Sequence, residues 1–293
     1  MEVLMSGATG LLGTAMERAL EAEGAVITRL VRGAAAGKSQ IAWEPGKPLT
    51  LSSSFDAVIH LAGESVVGRW TEAKKKRIRD SRVQGTKTLA DAVARMEKKP
   101  RVMIAASAIG FYGDRGEEVL TENGASGTGF LADVCRQWEA ASEPAEKAGV
   151  RVVHIRTGVV LSQRGGALGQ MLLPFRLGLG GRLGSGRQWM SWIHIDDQVD
   201  AVRSVLGNAS LRGPVNFTAP NPVTNAEFTA VLGKALSRPT IFPLPAFALR
   251  LAFGKMADEA LLASARVLPE RLLRSGYDFR FRDLAPALEN LLG

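Results

Sequence analysis

A glycine pattern at the amino end of the chain constrains the fold most strongly. The apolar residues 3–5 meet Gly7, Gly10 and Gly13 at the spacing G-x-x-G-x-x-G, and residues 11–22 follow with the periodicity of an amphipathic helix. Strand, glycine turn and helix in this order are typical of the first βαβ unit of a dinucleotide-binding fold. The alternative, an ordinary glycine-rich turn, is disfavoured because the pattern lies directly between strand and helix.

The spacing assigns a separate task to each glycine. Gly7 permits the tight turn, Gly10 allows a pyrophosphate to approach the backbone, and Gly13 allows the helix to pack closely on the strand. The first N–H groups of the helix and the positive end of its dipole would face the phosphates. We therefore expect the same turn to contact a cofactor through Thr9, Leu11 and Leu12.

The end of the second predicted strand, residues 25–31, indicates which dinucleotide is preferred. An NAD-preferring site usually has an acidic residue about 20 residues beyond the glycines, but residues 24–43 contain neither Asp nor Glu. They contain Arg29, Arg32 just past the strand, and Lys38 further on. An arginine can hold a 2′-phosphate bidentately, so we predict NADP with Arg32 as its ligand. The alternative is that Arg32 is a solvated loop residue.

The rest of the chain alternates predicted strands with predicted helices. This alternation predicts an α/β fold, a Rossmann-like doubly wound parallel sheet with a smaller C-terminal substrate lobe. We expect a dinucleotide-binding domain over residues 1–160 and the lobe mainly over 161–293, with the chain returning to the first domain at about 190–220. Further strands are predicted at 40–43, 57–63, 101–107 and 151–156, and the principal helices at 72–98 and 129–149.

Charge and composition narrow the classes of partner. The chain has 37 basic and 29 acidic residues, a formal net charge of +8. Its densest basic run, residues 74–79, lies beside Glu72 and Asp80, which favours a solvated helix face over nucleic-acid binding. The remaining positive charge is available to an anionic cofactor or substrate. No spacing of potential ligands suggests a metal.

The same composition suggests where the protein works. No apolar run reaches the length of a membrane span, and the amino terminus lacks the pattern of an export signal. Cys135 is the single cysteine, which excludes an internal disulfide and fits a reducing compartment. We expect a cytoplasmic protein with no membrane or nucleic-acid partner and a small-molecule substrate. The sequence leaves open whether it forms a homodimer.

Five blocks, in order, carry a resemblance to a known family. The chain resembles the extended, atypical short-chain dehydrogenases/reductases, the group that includes NAD(P)-dependent epimerases and dehydratases. Four further segments are similar to an epimerase-family subgroup with a C-terminal segment of unknown function. The family blocks are residues 7–13, 60–63, 83–86, 107–114 and 192–197, and the subgroup segments are 156–161, 174–181, 184–188 and 268–280.

The resemblance implies hydride-transfer chemistry, but this chain lacks its usual proton relay. The broad family uses Tyr-x-x-x-Lys on one helix face, where lysine lowers the phenol pKa, together with a Ser or Thr after the preceding strand. Alignment on Glu139 puts Leu131 at the tyrosine position and Cys135 at the lysine position. Two hypotheses follow: an NADP-dependent oxidoreductase or epimerase-like enzyme for a carbonyl or sugar-type molecule with another proton donor, or a catalytically silent NADP(H)-binding sensor or structural protein.

Three residues are the candidates for the missing chemistry. Ser107 lies near the expected serine position, and Tyr112 offers a phenol, although this position in the family more often packs near the cofactor. Glu64 is placed either to reach the nicotinamide or to cap the following turn, and both readings stay open. His60 is interpreted as a hydrogen-bonded core residue and His194 as a structural residue that bridges the lobes.

The remaining candidates bind rather than react. Small residues end the strand over 57–63, so a cofactor can lie close to the backbone there. We accordingly predict contacts to the cofactor from Leu61, Ala62 and Gly63, and from Arg82 beside the helix block 83–86. Arg176 and Arg187, in the glycine-rich lobe, are candidates for binding an anionic substrate.

Overall fold

The computed structural model describes residues 1–37 and 39–293; Lys38 lies outside the described residues. A sheet of seven strands forms its centre, and every pairing in this sheet is parallel. The strands of the chain are β1 (Glu2–Ser6), β2 (Val26–Val31), β3 (Gln40–Ala42), β4 (Ala57–His60), β5 (Val102–Ala108), β6 (Val119–Leu120), β7 (Arg151–Thr157), β8 (Val159–Leu161), β9 (Trp189–Met190), β10 (Trp192–His194), β11 (Gly213–Phe217), β12 (Val223–Thr224) and β13 (Arg266–Val267).

Helices connect these strands and cover both faces of the large sheet. A 3₁₀ turn at Ile109–Tyr112 and a π-helical turn at Ala257–Leu261 supplement them. The α-helices are α1 (Leu11–Ala22), α2 (Glu72–Arg95), α3 (Phe130–Ala140), α4 (Glu143–Lys147), α5 (Gly166–Arg176), α6 (Ile195–Gly207), α7 (Asn225–Ala235), α8 (Ala246–Phe253), α9 (Glu270–Arg274) and α10 (Leu284–Leu292).

The strand order of the large sheet is β11-β7-β5-β4-β1-β2-β3. From β1 the chain builds outward in one direction through β2 and β3, and then in the other from β4 onward. Ligands of open α/β sheets bind at such a switch point, outside the carboxyl ends of the strands. The predicted doubly wound parallel sheet is confirmed, and its binding edge lies where β1 and β4 end.

The core follows from the alternation of side chains along these strands. Val3 and Met5 of β1 pack in a cluster with residues of α1 and α6 on one face of the sheet, whereas Leu4 packs on the opposite face with residues of α2 such as Leu89 and Val93. Because both faces are covered by helices, the central strands are apolar on both sides, as buried parallel strands require.

One helix differs from the prediction. The segment predicted as a single helix over 129–149 forms α3 and α4, which are separated at Ala141 and Ser142. Pro144 lies in the first turn of α4, where its missing N–H leaves no helical hydrogen bond unmade. Within one continuous helix the same proline would remove a hydrogen bond and clash with the preceding turn, so α3 ends before it. Glu139 is therefore the penultimate residue of α3.

The carboxy-terminal half contributes to two bodies of the structure. Trp192, Phe228 and Leu288 belong to a separate apolar cluster, to which α5, α7 and α10 contribute. Strand β11, however, pairs with β7 at the edge of the large sheet. Among the helices of the described residues, none combines the length and the apolar character needed to cross a membrane.

Candidate active site at the carboxyl edge of the sheet

Two of the three glycines are required by the turn itself. Gly7 has a φ of +74°, and a Cβ atom there would lie 2.7 Å from the backbone N of Ala62. A Cβ on Gly13 would lie 2.1 Å from the carbonyl oxygen of Gly7, a distance too short for any residue with a side chain. A Cβ on Gly10 would meet only the Gly7 oxygen, at 3.4 Å, so the space beside Gly10 is open.

The turn also presents unused donors. Helix α1 begins at Leu11, and its N-cap is Gly10, which has no side chain to accept from the first N–H groups. Those N–H groups have no acceptor within the helix and favour a negative charge. Thr9, Gly10 and Leu11 line one end of a cavity of about 720 Å³ whose other walls include Arg18 and Arg164. The arrangement suits a phosphate group.

The structure distinguishes the two arginines of the second strand. Arg29 donates from Nε and Nη2 to the two carboxylate oxygens of Glu17, at 2.6 and 2.8 Å, and these bonds raise its pKa. Arg32 is exposed just beyond β2 and forms no ion pair with any described residue. Of the two, Arg32 therefore remains available to an anionic ligand.

A buried pair joins the ends of β1 and β4. Ser6 Oγ lies 2.6 Å from His60 Nδ1, and the Ala62 N–H donates to Ser6 Oγ at 3.4 Å. Burial lowers the pKa of His60 from 6.5 to about 4, so the imidazole is neutral at physiological pH. This geometry fits the core role expected for His60, and hydrogen bonds to Ser6 hold the backbone of Leu61 and Ala62 against the glycine turn.

Glu64 follows this strand end in the chain, and Arg82 of α2 lies against it. Lys74 donates to the Glu64 carboxylate at 2.8 Å and Arg77 approaches it at 3.7 Å; the bond from Lys74 is the main reason why the pKa of Glu64 is lowered. Arg82 donates to the Glu64 carbonyl oxygen at 2.8 Å and packs below Gly63. Glu64 is thus an ionised group held by two cations, and Arg82 is a support of the loop over residues 63–64.

The positions that align with the family's tyrosine and lysine are a partly buried leucine and a buried cysteine. Leu131 packs in a cluster with Trp70, Ile78 and Met256. Cys135 is 3% exposed, and burial raises the pKa of its thiol to about 12. Neither residue can transfer a proton at neutral pH, so these two positions of α3 serve packing here.

A charged network lies beside them instead. Ser107 Oγ, at the carboxyl end of β5, donates to Glu139 Oε1 at 2.7 Å. Arg156 of β7 donates from Nε and Nη2 to the two oxygens of the same carboxylate, each at 2.8 Å. Bidentate pairs of this type are strong and fix the carboxylate in one orientation. Ser107 is 4% exposed.

Tyr112 belongs to the same network, on its inner side. Arg156 Nη1 donates to the Tyr112 oxygen at 3.0 Å, and the phenol donates to Asn216 Oδ1 at 2.8 Å. Tyr112 is fully buried, and burial is the main reason why its pKa is raised. The structure therefore brings Ser107 and Tyr112 into one network through Arg156, but the phenol faces the interior of the fold.

The candidates of the C-terminal lobe lie apart from this network. Arg176 ends α5 and Arg187 follows the glycine-rich connection; both are exposed and neither forms an ion pair within residues 1–37 and 39–293. His194 is buried, accepts from the Asp196 N–H at the start of α6, and stacks on Phe281 with ring centroids 4.0 Å apart. Within the described part of the chain, no group of three or more acidic, His or Cys residues could hold a metal ion.

Two residues of the network, Glu139 and Arg156, were not among the sequence candidates. A signal existed for one of them, because Arg156 is a charged residue at the end of the otherwise apolar strand segment 151–156. A buried arginine needs a counter-charge. Sequence reasoning could not name the partner, since Glu139 lies on another element and is adjacent only after the sheet is assembled.

Parallel strands with a glycine turn at the switch point define a dinucleotide-binding protein of the Rossmann type. Residues 3–216 match the NAD dependent epimerase/dehydratase family, and residues 244–291 match a domain of unknown function, DUF1731. The chain belongs to the NAD dependent epimerase/dehydratase family.

Full-length relatives agree with this assignment. The Mycobacterium tuberculosis epimerase family protein MT2273 is 45% identical over 291 residues, which cover 98% of this chain and 96% of the relative. An Arabidopsis thaliana relative named the chloroplastic SDR39U1 homolog is 38% identical, and the match covers 100% of this chain and 87% of the relative. The crystal structure of human epimerase family protein SDR39U1 (isoform 2) with NADPH has a TM-score of 0.92 at 35% identity, covering 100% of this chain and 99% of that one. The resemblance inferred from the motifs is confirmed.

Proposed function

We propose that this protein binds NADP(H) and acts as an oxidoreductase or epimerase-like enzyme on a carbonyl or sugar-type small molecule. The observation that carries the choice of cofactor is the exposed Arg32, which forms no ion pair with a described residue and follows β2 where an NAD site would place a carboxylate. The human relative crystallised with NADPH supports the same choice.

The residues present fit this cofactor. The open space beside Gly10 and the N–H groups of Leu11 and Leu12 would accommodate the diphosphate, and Arg32 the 2′-phosphate. The small residues that end β4 would allow the nicotinamide half to pass close to the backbone. When bound, the nicotinamide donates or accepts a hydride; the protein has to orient the substrate and move the proton.

We assign the proton to the pair of Ser107 and Glu139. Because Ser107 donates its own hydrogen to Glu139, its lone pairs are left to accept from a substrate hydroxyl. As that hydroxyl is oxidised, its proton passes to Ser107 Oγ while the Ser107 proton passes to the carboxylate. Arg156 acts as a positioning residue that holds Glu139 in place. Glu64 lies outside this network, and we assign it to support the loop over residues 63–64, where Lys74 donates to its carboxylate.

The compartment and partners complete the proposal. A buried sole cysteine is compatible with the reducing cytoplasm, where we place the protein, although the Arabidopsis relative is named as chloroplastic. Arg176 and Arg187 are proposed to attract an anionic substrate from the lobe. Membrane and nucleic-acid partners are not proposed, and a homodimer stays an open prediction.

Fluorescence titration with NADPH and NADH tests the cofactor. We expect NADPH to bind about ten- to a hundredfold more tightly, since one charge-assisted pair to the 2′-phosphate is at stake. Arg32→Glu should reduce or reverse the preference, whereas Arg282→Glu, an equal change of charge at an exposed position, should leave it unchanged. Equal affinity of the wild type for both nucleotides would contradict the assignment.

A second candidate function is a catalytically silent NADP(H)-binding protein. The apolar cluster that contains Leu131 favours it, because the absence of a proton-relay side chain at the family's tyrosine and lysine positions is compatible with loss of turnover. A screen of carbonyl and nucleotide-sugar substrates separates the enzyme from the silent protein. NADPH oxidation or NADP⁺ reduction is the quantity measured. Turnover that is lost in Ser107→Ala and Glu139→Gln supports the enzyme, and NADPH binding without turnover on any member of the screen supports the silent protein.

A further inference from the structure

The edge of the sheet opposite the candidate active site is strongly basic. Three neighbouring strands, β5, β7 and β11, each begin at an arginine or directly after one: Arg101, Arg151 and Arg212. Because the strands are parallel, all three arginines lie at the same, amino-terminal edge. Helix α9 adds Arg271 and Arg274 to this edge.

A cavity of about 850 Å³ opens there. Four arginines, Arg151, Arg212, Arg271 and Arg274, contribute to its lining, together with one acidic residue, Glu146. The volume lies within the range typical of small-molecule sites. The cavity is separate from the cofactor edge, since its lining residues precede β7 and β11, lie in the first residues of these strands, or belong to α9 and the residue after it.

Among the described residues, one of the four arginines of this cavity forms an ion pair. Arg274 pairs with Glu270 at 2.6 Å, but Arg151, Arg212 and Arg271 form no ion pair with the residues that the structure describes. Burial lowers the pKa of Arg151, and the neighbouring charges of Arg212 and Arg101 lower it further. The like charges therefore repel one another, and an anion between them would relieve that repulsion.

Backbone carbonyl groups fix two of these side chains. Arg151 donates from Nη1 to the Leu211 oxygen at 2.8 Å and from Nη2 to the Val205 oxygen at 3.1 Å. Arg271 donates from Nη1 to the carbonyl oxygens of Arg212 and Pro214, both at 2.8 Å. Neutral acceptors hold the guanidinium groups without cancelling their charge, so the site is preorganised. Each group keeps further N–H donors for a ligand.

We propose that this cavity is a second anion site, which binds a small phosphorylated molecule with at least two negative charges. Arginine matches phosphate oxygens in a planar, bidentate way, and a concave cavity of this size suits a molecule rather than a phosphate backbone. The site accounts for part of the net charge of +8 that a nicotinamide cofactor does not require. It is independent of the proposed reaction.

Inorganic pyrophosphate is a suitable probe, and isothermal titration calorimetry is the measurement. One equivalent of NADPH is added first, and its fluorescence is followed so that displacement from the glycine turn is detected. We expect saturable binding of pyrophosphate with no displacement of NADPH. The variant Arg212→Ala/Arg274→Ala should bind pyrophosphate at least tenfold more weakly, because it removes two of the four guanidinium groups that line the cavity. Its fold should be retained, because the side chains that donate to backbone carbonyl groups here are those of Arg151 and Arg271.

The matched control is Lys76→Ala/Lys87→Ala, which removes the same charge from exposed positions on α2. It should bind pyrophosphate within about twofold of the wild type, as expected when exposed charges are distant and screened. The proposal is overturned by an absence of binding, by an equal loss in both double variants, by displacement of NADPH, or by binding of a DNA duplex alone. If NADPH itself fails to bind, the same titration of the four-arginine cavity still decides, so this result is distinguishable from failure of the cofactor proposal.

Discussion

The two halves of the cleft differ in how their chemistry is built. The β1–α1 half is contiguous in the chain: Gly7, Gly10 and Gly13 form the turn and the helix cap within seven residues. The β5–α3 half is assembled from three elements, which bring Ser107, Glu139 and Arg156 together. In the first half the family pattern is intact, and in the second its tyrosine and lysine positions are apolar.

The difference teaches which parts of such a site can change independently. The glycine turn is constrained by the backbone, since a Cβ at Gly13 collides with the Gly7 carbonyl whatever the substrate. In the β5–α3 half the comparable backbone constraint lies in the loop after Tyr112, where a Cβ on Gly127 would lie 2.1 Å from the Tyr112 carbonyl oxygen, and not at the positions of the family's tyrosine and lysine. Apolar packing around Leu131 and a buried ion pair replace the family arrangement there without altering the strands that carry them.

The largest effect is expected from breaking the ion pair of the second half. Arg156→Leu leaves the Glu139 carboxylate largely buried without its cation, and we expect a loss of about 3–5 kcal/mol in the free energy of unfolding. The double variant Arg156→Leu/Glu139→Leu removes both charges and should recover most of that loss. Urea denaturation measures both. If the single and double variants are equally destabilised, the charge pair is not the cause.

A pH dependence of similar size is expected from the first half. His60 has a pKa of about 4 when folded and 6.5 as its ordinary value, so the unfolded chain binds the additional proton. Stability is therefore lost as the pH falls from 6.5 through 4, by up to about 3 kcal/mol. Urea titrations at pH 7, 5.5 and 4 should show this decrease in the free energy of unfolding. In His60→Asn the decrease over the same pH range should be smaller by up to about 3 kcal/mol. Parallel pH curves for the two proteins would refute it.

A pair of glycine variants separates folding from binding within the first half. Gly13→Ala should destabilise the protein by about 1–3 kcal/mol, because the added Cβ overpacks the turn. Gly10→Ala meets no atom closer than 3.4 Å and should leave the melting temperature nearly unchanged while it weakens NADPH binding. Thermal melting and fluorescence titration measure the two effects. Normal NADPH affinity in Gly10→Ala would mean that the cofactor does not approach this turn.

The smallest effect concerns the β5–α3 half, where we expect the Cys135 thiol not to react in the native protein. Burial raises the pKa of Cys135 to about 12, so a thiol reagent at pH 8 should not label the native protein and should label it fully in guanidinium chloride. Rapid labelling of the native protein would show that the packing around Cys135 opens, and Cys135 would again be a candidate reactive residue.

Local patterns predicted the parts of the site that are local. The glycine turn and the end of β4 lie where the sequence indicated. The helix predicted over 129–149 was wrong as a single element, because the competing signal of Pro144 was passed over. Tyr112 could be named as a phenol, but only the packed structure decides that its hydroxyl faces Asn216 rather than the cleft.

By itself the sequence determined the order of strands and helices, the glycine turn and the absence of Tyr-x-x-x-Lys, because each of these depends on residues close together in the chain. The tertiary structure alone decided that Arg29 is bound by Glu17 while Arg32 is not, and that Glu139 meets Arg156. It also decided that three strands place arginines at one edge. Charges interact through space over a few ångströms, and only the order of strands in the sheet determines which distant residues come that close.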